Sequence, residues 1–323
     1  MPPGVTPFPK HCDGKRFFNP DAPQARGFPD VLRWKFTTRP QSSPRFVSDV
    51  VPSKPPAGID GSELQVTLVN HSTVLLQQSG LHILTDPIWS ERATPVKGIG
   101  PRRRRAPGVL WEDLPRIDIV LLSHNHYDHL DLPTLRRIAA RGQAQFVVPT
   151  GVAGFLRHQL RREMRQDKPD PVHELDWGES VSMAGTTIHS VPALHFSARG
   201  IFDRNRTLWC GYVFEAANRV VYYAGDTAFG SHFAMIRERF GAPQLALLPI
   251  GAYEPRWFMS PIHMDPDDAI QAHRILGAGT SIAIHHGTFQ LADESLDTPR
   301  LLLNERAIDI FLVLNNGQSV TLA

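Results

Sequence analysis

Ser123-His124-Asn125-His126-Tyr127-Asp128-His129-Leu130-Asp131 places four metal-competent side chains, His124, His126, Asp128 and His129, within six residues. The stretch leaves the end of a largely apolar run, residues 117–122, that reads as a buried strand. Imidazole nitrogen and carboxylate oxygen suit zinc and other borderline divalent ions. A tetrahedral catalytic ion takes three protein ligands and keeps one position open. Four ligands of mixed reach at one strand-to-loop junction therefore point to two ions side by side.

Further ligands must come from other strand ends, and three residues stand there. His195 follows the run 187–191, in Pro192-Ala193-Leu194-His195-Phe196. Asp226 follows 220–223, in Ala224-Gly225-Asp226-Thr227, where Gly225 permits the turn that presents the carboxylate. His285 follows 281–284, in Ala283-Ile284-His285-His286-Gly287. Each alone reads as an ordinary hydrogen-bonded histidine or a turn. Together, downstream of the first motif, they read as the rest of a ligand set.

The remainder of the chain frames this site. Twelve of the 28 prolines precede residue 60, so residues 1–60 read as an extended Pro-rich arm laid over a body formed by 61–323. Strands are expected at 64–69, 71–77 and 81–84, the last two joined as a hairpin by Ser79-Gly80 and closed by a turn at Asp86-Pro87. After the motif, a helix is expected over 132–141 with Asp131 as N-cap, a strand over 146–149 and a helix over 151–162. Short strands at 181–183, 187–191, 208–214 and 220–223 then precede helices at 232–240 and 266–276. Strands at 245–249, 282–284, 310–314 and 318–322 interleave with them or follow. Strand-rich stretches trailed by helices occur twice, which two facing sheets with helices outside would satisfy: an α/β fold, a four-layer αββα sandwich.

Composition excludes several classes. Net charge is +2, and the run Arg102-Arg103-Arg104-Arg105 is short and lacks interleaved aromatics, so nucleic acid is not an expected partner. That run reads as a solvated face, with an anion patch for a lipid head group or an anionic bilayer as the alternative. The two cysteines, Cys12 and Cys210, exclude a disulfide framework or a cysteine zinc site. The amino-terminal segment lacks the apolar core of a signal peptide, and no run reaches the ~20 apolar residues of a membrane span, so a cytoplasmic location is expected.

The order His-x-His-x-Asp-His, His, Asp, His resembles the metallo-β-lactamase superfamily. Further strings narrow the resemblance: His71-Ser72-Thr73-Val74-Leu75, Leu84-Thr85-Asp86-Pro87, the run from Pro249 through Gly251-Ala252-Tyr253-Glu254-Pro255-Arg256-Trp257-Phe258-Met259, His263-x-Asp265-Pro266 and residues 283–289. They resemble the phospholipase D family that hydrolyses N-acylphosphatidylethanolamine. The likeness runs from about Val66 to the C-terminus. It implies two divalent ions, zinc foremost, with His124, His126 and His195 on the first. Asp128, His129 and His285 would hold the second, with Asp226 bridging. It further implies a phosphodiesterase in which a hydroxide bridging the ions attacks the lipid, giving N-acylethanolamine and phosphatidic acid.

Asp128 and Asp226 are the catalytic carboxylates on this reading. His263 is a phosphate donor or general acid, and Tyr253, Arg256 and His286 are substrate contacts. His71 reads as a supporting group and not a ligand. The chain departs from the animal enzymes at His286 and Phe196, where they carry Trp, and at Ile262, where they carry Gln. The alternative within the same architecture is a metallohydrolase acting on a lactone or small phosphodiester, and outside it a non-catalytic metal-binding scaffold. A phospholipid or small phosphodiester, peripheral contact with a membrane and a second copy of the chain in a homodimer are the expected partners.

Overall fold

The computed structural model describes residues 8–20, 22–59, 63–96, 98–164, 167, 169–200, 202–216, 219–306 and 309–322. In chain order the elements are α1 (Phe28–Thr37), β1 (Leu64–Asn70), β2 (Thr73–Gln78), β3 (Leu81–Thr85), β4 (Ile119–Leu121), α2 (Leu132–Ala139), β5 (Gln145–Pro149) and α3 (Ala153–Leu160). There follow β6 (Val172–Leu175), β7 (Ser180–Met183), β8 (Thr186–Val191), β9 (Gly211–Ala216), β10 (Arg219–Tyr223), α4 (His232–Phe240), β11 (Leu245–Pro249) and α5 (Arg256–Met259). The last are α6 (Pro266–Leu276), β12 (Thr280–Ile284), α7 (Thr298–Glu305), β13 (Phe311–Leu312) and β14 (Ser319–Leu322).

Strand β4 shows why the architecture has four layers. Side chains alternate across a strand, so Ile119 and Leu121 enter one apolar cluster while Val120 and Leu122 enter another. The first cluster lies between the sheets, where Leu121 joins Tyr212, Tyr223, Leu247 and Ile284 of the facing sheet. The second joins the sheet to Leu135 and Ile138 of α2 and Leu156 and Leu160 of α3. A third packs Phe233 of α4, Ile270 of α6 and Leu303 of α7 on the outer face of the other sheet. Strands covered on both faces must read as unbroken apolar runs, as β4 and β11 do.

Among the described residues the strand orders are β14-β1-β2-β3-β4-β5-β6 and β13-β12-β11-β10-β9-β8-β7. The αββα sandwich is therefore the observed fold. Parallel pairing sets the site: β3, β4 and β5 run alongside one another, as do β10, β11 and β12. Their carboxyl ends lie along common edges, where loops carry side chains toward one another.

Several local expectations change. The strand expected over 71–77 begins at Thr73, because His71 and Ser72 form a turn with His71 at φ 48°. The Ser79-Gly80 turn of the β2–β3 hairpin is as expected, with φ of 48° and 77° at its two central residues, the signature of a type I′ turn. Residues 28–37 of the arm are helical, not extended: Pro29 stands in the first turn, and Trp34 is buried against Phe258 with ring centroids 4.9 Å apart. The terminal strands separate, since β13 joins β12 while β14 returns to the other sheet beside β1. The expected arm–body boundary at residues 60 and 61 falls outside the described residues.

The arginine run is neither a solvated face nor an anion patch. Arg103 and Arg105 are buried while Arg102 is exposed. Arg103 donates to Asn70 Oδ1 (3.1 Å) and to the Ile88 carbonyl (3.0 Å), and lies over the Phe289 ring. Arg105 donates to Asp49, to Asp297 and to the Gly287 carbonyl (2.6 Å). Both guanidiniums tie loops together from inside.

Candidate metal centre

Parallel pairing of β3 and β4 carries Asp86 beside Ser123: Asp86 accepts from the Ser123 amide (2.7 Å) and from Ser123 Oγ (2.5 Å). It also accepts from His129 Nδ1 (2.6 Å) and Tyr223 OH (2.5 Å). These bonds set tautomers. With Nδ1–H of His129 on Asp86, its Nε2 lone pair faces the cluster. Ser123 spends its one proton on Asp86, so His124 Nδ1 donates to Ser123 Oγ (2.9 Å) and its Nε2 is likewise free. His195 Nδ1 donates to the Ile262 carbonyl (2.9 Å), again leaving Nε2 for the centre.

The inward atoms form two groups. His126 Nδ1 lies 2.8 Å from His124 Nε2 and 3.2 Å from His195 Nε2. Asp128 Oδ2 lies 3.3 Å from His129 Nε2 and 3.4 Å from His285 Nε2. Asp226 Oδ2 reaches His129 Nε2 at 3.2 Å, His285 Nε2 at 3.1 Å and His195 Nε2 at 3.8 Å, so it stands between the groups. His71 donates from Nε2 to Asp128 Oδ2 (3.0 Å). Gly225 makes the approach of Asp226 feasible: at φ 62°, a Cβ there would stand 2.6 Å from Ser123 Cβ. His285 itself takes φ 58°, and its amide donates to the His71 carbonyl.

The donor set fits divalent metal. Ligands 2.0–2.1 Å from a tetrahedral ion lie about 3.3 Å from each other, the spacing found here. Among the described residues, His129 Nε2, His285 Nε2 and Asp226 Oδ1 are buried without a hydrogen-bond partner, though a buried polar atom needs one. Electrostatics agree. Burial, reinforced by neighbouring histidines, holds His126 down to about 3 and His124 well below its ordinary value; it brings His195 to about 4, against the pull of Asp226. These rings are neutral and ready to ligate. Burial also opposes charge on Asp128 and Asp226, but His129, with further help from His285, keeps both well below the usual carboxylate range. Conversely, Asp226 and Asp128 lift His129 well up and His285 to about 9 in spite of burial. The two carboxylates thus demand positive charge, which protons on these rings or a metal cation supply.

The other expected site residues fall in different places. His263 is buried against the cluster, its ring centroid 5.0 Å from that of His195 and 5.3 Å from that of His285, with Nδ1 unpartnered. Burial, opposed by Asp226, leaves it well below its ordinary value. Tyr253 is buried in a segment held by Glu294, which accepts from the Ala252 and Glu254 amides. Arg256 is engaged with its own loop, pairing with Asp265 (3.2 Å) and Asp268 (2.5 Å) and donating to the His263 carbonyl (3.2 Å). His286 points its Nε2 at the Ala283 carbonyl, beside Arg105, and does not join the two donor groups. Two contributors went unrecognised in the sequence. Asp86 read as part of an Asp-Pro turn, although it follows an apolar run at the same sheet edge as the motif. Asn19, in the arm, gave no signal at all.

Comparison with known proteins agrees with this picture. A family model, the beta-lactamase superfamily domain, matches residues 82–286. The chain belongs to the beta-lactamase superfamily. Within it, the N-acyl-phosphatidylethanolamine-hydrolyzing phospholipase D 1 of Caenorhabditis elegans is 40% identical over 236 residues, 71% of this chain and 65% of that protein. The mitochondrial N-acyl-phosphatidylethanolamine-hydrolyzing phospholipase D of Saccharomyces cerevisiae is 34% identical over 251 residues, 75% of this chain and 52% of that protein. The match thus spans under two thirds of either relative. Among solved structures, the Igni18 metallo hydrolase of Ignicoccus hospitalis superposes with a TM-score of 0.58 at 22% identity, covering 81% of this chain and 99% of that one. Fold, donor cluster and family agree on a beta-lactamase-fold chain that carries a candidate centre for divalent metal. Among the described residues no helix is long and apolar enough to cross a membrane.

Proposed function

We propose that this chain is a phosphodiesterase with phospholipase D regiochemistry, converting N-acylphosphatidylethanolamine to N-acylethanolamine and phosphatidic acid. Its cofactors on this reading are two divalent ions, zinc foremost: one on His124, His126 and His195, the other on Asp128, His129 and His285, with Asp226 reaching both. When bound, such ions polarise a phosphoryl oxygen and acidify water to near neutrality. The chain's own residues supply the rest. His71 fixes the Asp128 carboxylate, which aligns the incoming water. His263, kept neutral, offers a hydrogen bond to a phosphoryl oxygen; its depressed basicity disfavours the general-acid role. Arg256 holds the His263 loop, and Tyr253 lies in a neighbouring segment that Glu294 fixes.

The observation that carries the lipid reading is an apolar wall beside the first donor group. Phe196 packs edge-on against His126, centroids 4.5 Å apart, and joins a cluster with Ile262, Trp257, Leu291 and the arm's Val31 and Trp34. An acyl-bearing substrate needs such a surface, and a small polar phosphodiester does not. Phe28, Leu32 and Phe36 stand exposed on α1, which supports peripheral contact with a membrane. The test is incubation of the purified chain with micellar N-acylphosphatidylethanolamine. Release of N-acylethanolamine that stops with chelator and returns with zinc is expected. Hydrolysis of a lactone or small phosphodiester with none of the lipid would remove the lipid reading.

A further inference from the structure

The amino-terminal arm enters the molecule through an alternating pair. Phe17 is buried in the cluster between the sheets, Phe18 is only partly buried, and Asn19 is again buried at 2% exposure. In extended backbone, residues i and i+2 share a face, so the Phe17 anchor delivers Asn19 inward. Pro20 follows, and a residue before proline is biased to extended geometry. Phe17 is held by its amide on the Asn205 carbonyl (2.8 Å), and the Asn19 main chain is held on both sides by the Gln24 amide.

The Asn19 side chain bridges two buried groups of the body. Its Nδ2 donates to the His195 carbonyl (2.9 Å), and its Oδ1 accepts from Trp209 Nε1 (3.0 Å), which also donates to the Ala193 carbonyl. His195 is therefore fixed at two points: its ring by the Ile262 carbonyl, its main chain by an amide from nearly 180 residues upstream. Ala193, Leu194 and His195 form the segment that carries Nε2 to the first donor group. Nothing else among the described bonds holds the His195 carbonyl.

We propose that Asn19 is a positioning residue for the metal centre, acting through His195, so that the arm completes the first of the two ion sites. This rests on the two-ion reading above. Groups that orient a ligand typically change metal affinity by about 10–100-fold when removed. Asn19 acts on one ligand of one group, so the effect falls on one equivalent of metal only.

The experiment titrates the metal-stripped full-length chain with Co2+, following the visible absorption bands and fitting affinities by chelator competition. Wild type is compared with Asn19→Ala and Asn19→Asp. The aspartate keeps the size and the acceptor for Trp209 but loses the donor to His195, so it reports the His195 bond even if the alanine variant folds poorly. In both variants one equivalent is expected to weaken at least tenfold while the other stays within twofold. Unchanged binding, equal weakening of both equivalents, or a lowered melting temperature of the stripped protein with wild-type affinities would each overturn the proposal. If wild type takes only one equivalent, the two-ion reading falls, and Asn19 is judged on that equivalent by the same tenfold criterion.

Discussion

At the scale of single residues, Asp86 controls more of the metal centre than its position in an Asp-Pro turn suggests. It collects Ser123, His129 and Tyr223, and through Ser123 it also sets His124. Asp86→Asn puts an amide where four donors converge, so Nδ1 of His129 loses its acceptor. Metal affinity is expected to fall by about 10–100-fold, read by chelator competition; wild-type affinity would show the network to be dispensable. Asp226→Asn removes the charge between the two donor groups. Its turnover is expected to fall more than about 100-fold, with the far-ultraviolet dichroism unchanged, because the change touches the metal centre and not the fold. The donors from His124 to His285 were legible because each is a polar side chain ending an apolar run. Asp86 satisfies the same rule. It was missed because a turn explanation sufficed locally, and only the parallel register of β3 on β4 shows what the carboxylate faces.

At the scale of elements, the loop 102–105 shows where one-dimensional reading stops. Four arginines in sequence look like a solvated face, but the backbone there is extended and alternation buries Arg103 and Arg105. Arg105 joins Asp49 of the arm to Asp297, and its bond to the Gly287 carbonyl supports the turn that carries His285. Arg105→Lys keeps a charge but loses the planar fork, so it cannot serve all three partners. It is expected to cost about 2 kcal/mol in chemical denaturation, and to weaken the metal equivalent on His285 in a cobalt titration; an unchanged midpoint would mean that the fork adds nothing to a single charge. A second arm contact is sensitive to pH. His11 donates to Asp176 (2.7 Å) and stacks on Trp177. Burial lowers His11, but Asp176 and the Pro9 carbonyl raise it above its ordinary 6.5, while His11 brings Asp176 below 3.8 despite burial. A raised histidine stabilises fully below 6.5 and loses its contribution as pH climbs through its folded value. A lowered aspartate stabilises above 3.8 and fails as pH falls through its own. The contact is therefore firmest between about pH 4 and 6.5. Amide hydrogen exchange around His11 should be slowest in that window, after correction for intrinsic rates, and a flat protection profile from pH 5 to 8 would show that the ion pair contributes nothing.

At the scale of the whole molecule, the succession of strands and helices made the αββα layering legible, because each layer needs its own pattern of apolar faces. The return of β14 to the edge beside β1 was not legible, since a partly exposed four-residue strand carries no record of which edge it pairs with. The arm's role was equally hidden: its prolines mark an extended path, but several of its contacts are with residues more than 150 positions away, such as Asn19 with His195 and His11 with Asp176. The Asn19 closure reaches a centre that concentrates buried carboxylates, and that concentration has a thermodynamic consequence. Asp128 and Asp226 are buried and ionised, and a metal ion held at the folded centre would find no preformed site in the unfolded chain. At free metal a thousandfold above the dissociation constant, each bound ion adds about 4 kcal/mol by mass action. For a chain of 323 residues the unfolding entropy is about 0.7 kcal/mol per degree, so each ion is worth about 6 °C. Chelation of the holoprotein is therefore expected to lower the melting temperature by about 12 °C if two ions leave, and by about half that for one. Asp226→Asn, which loosens the hold on both, should show a smaller drop than wild type under the same chelator. A melting temperature that ignores chelation, with elemental analysis showing the metal gone, would mean that the cluster is held by its own hydrogen bonds and protons and that metal binding is not coupled to folding.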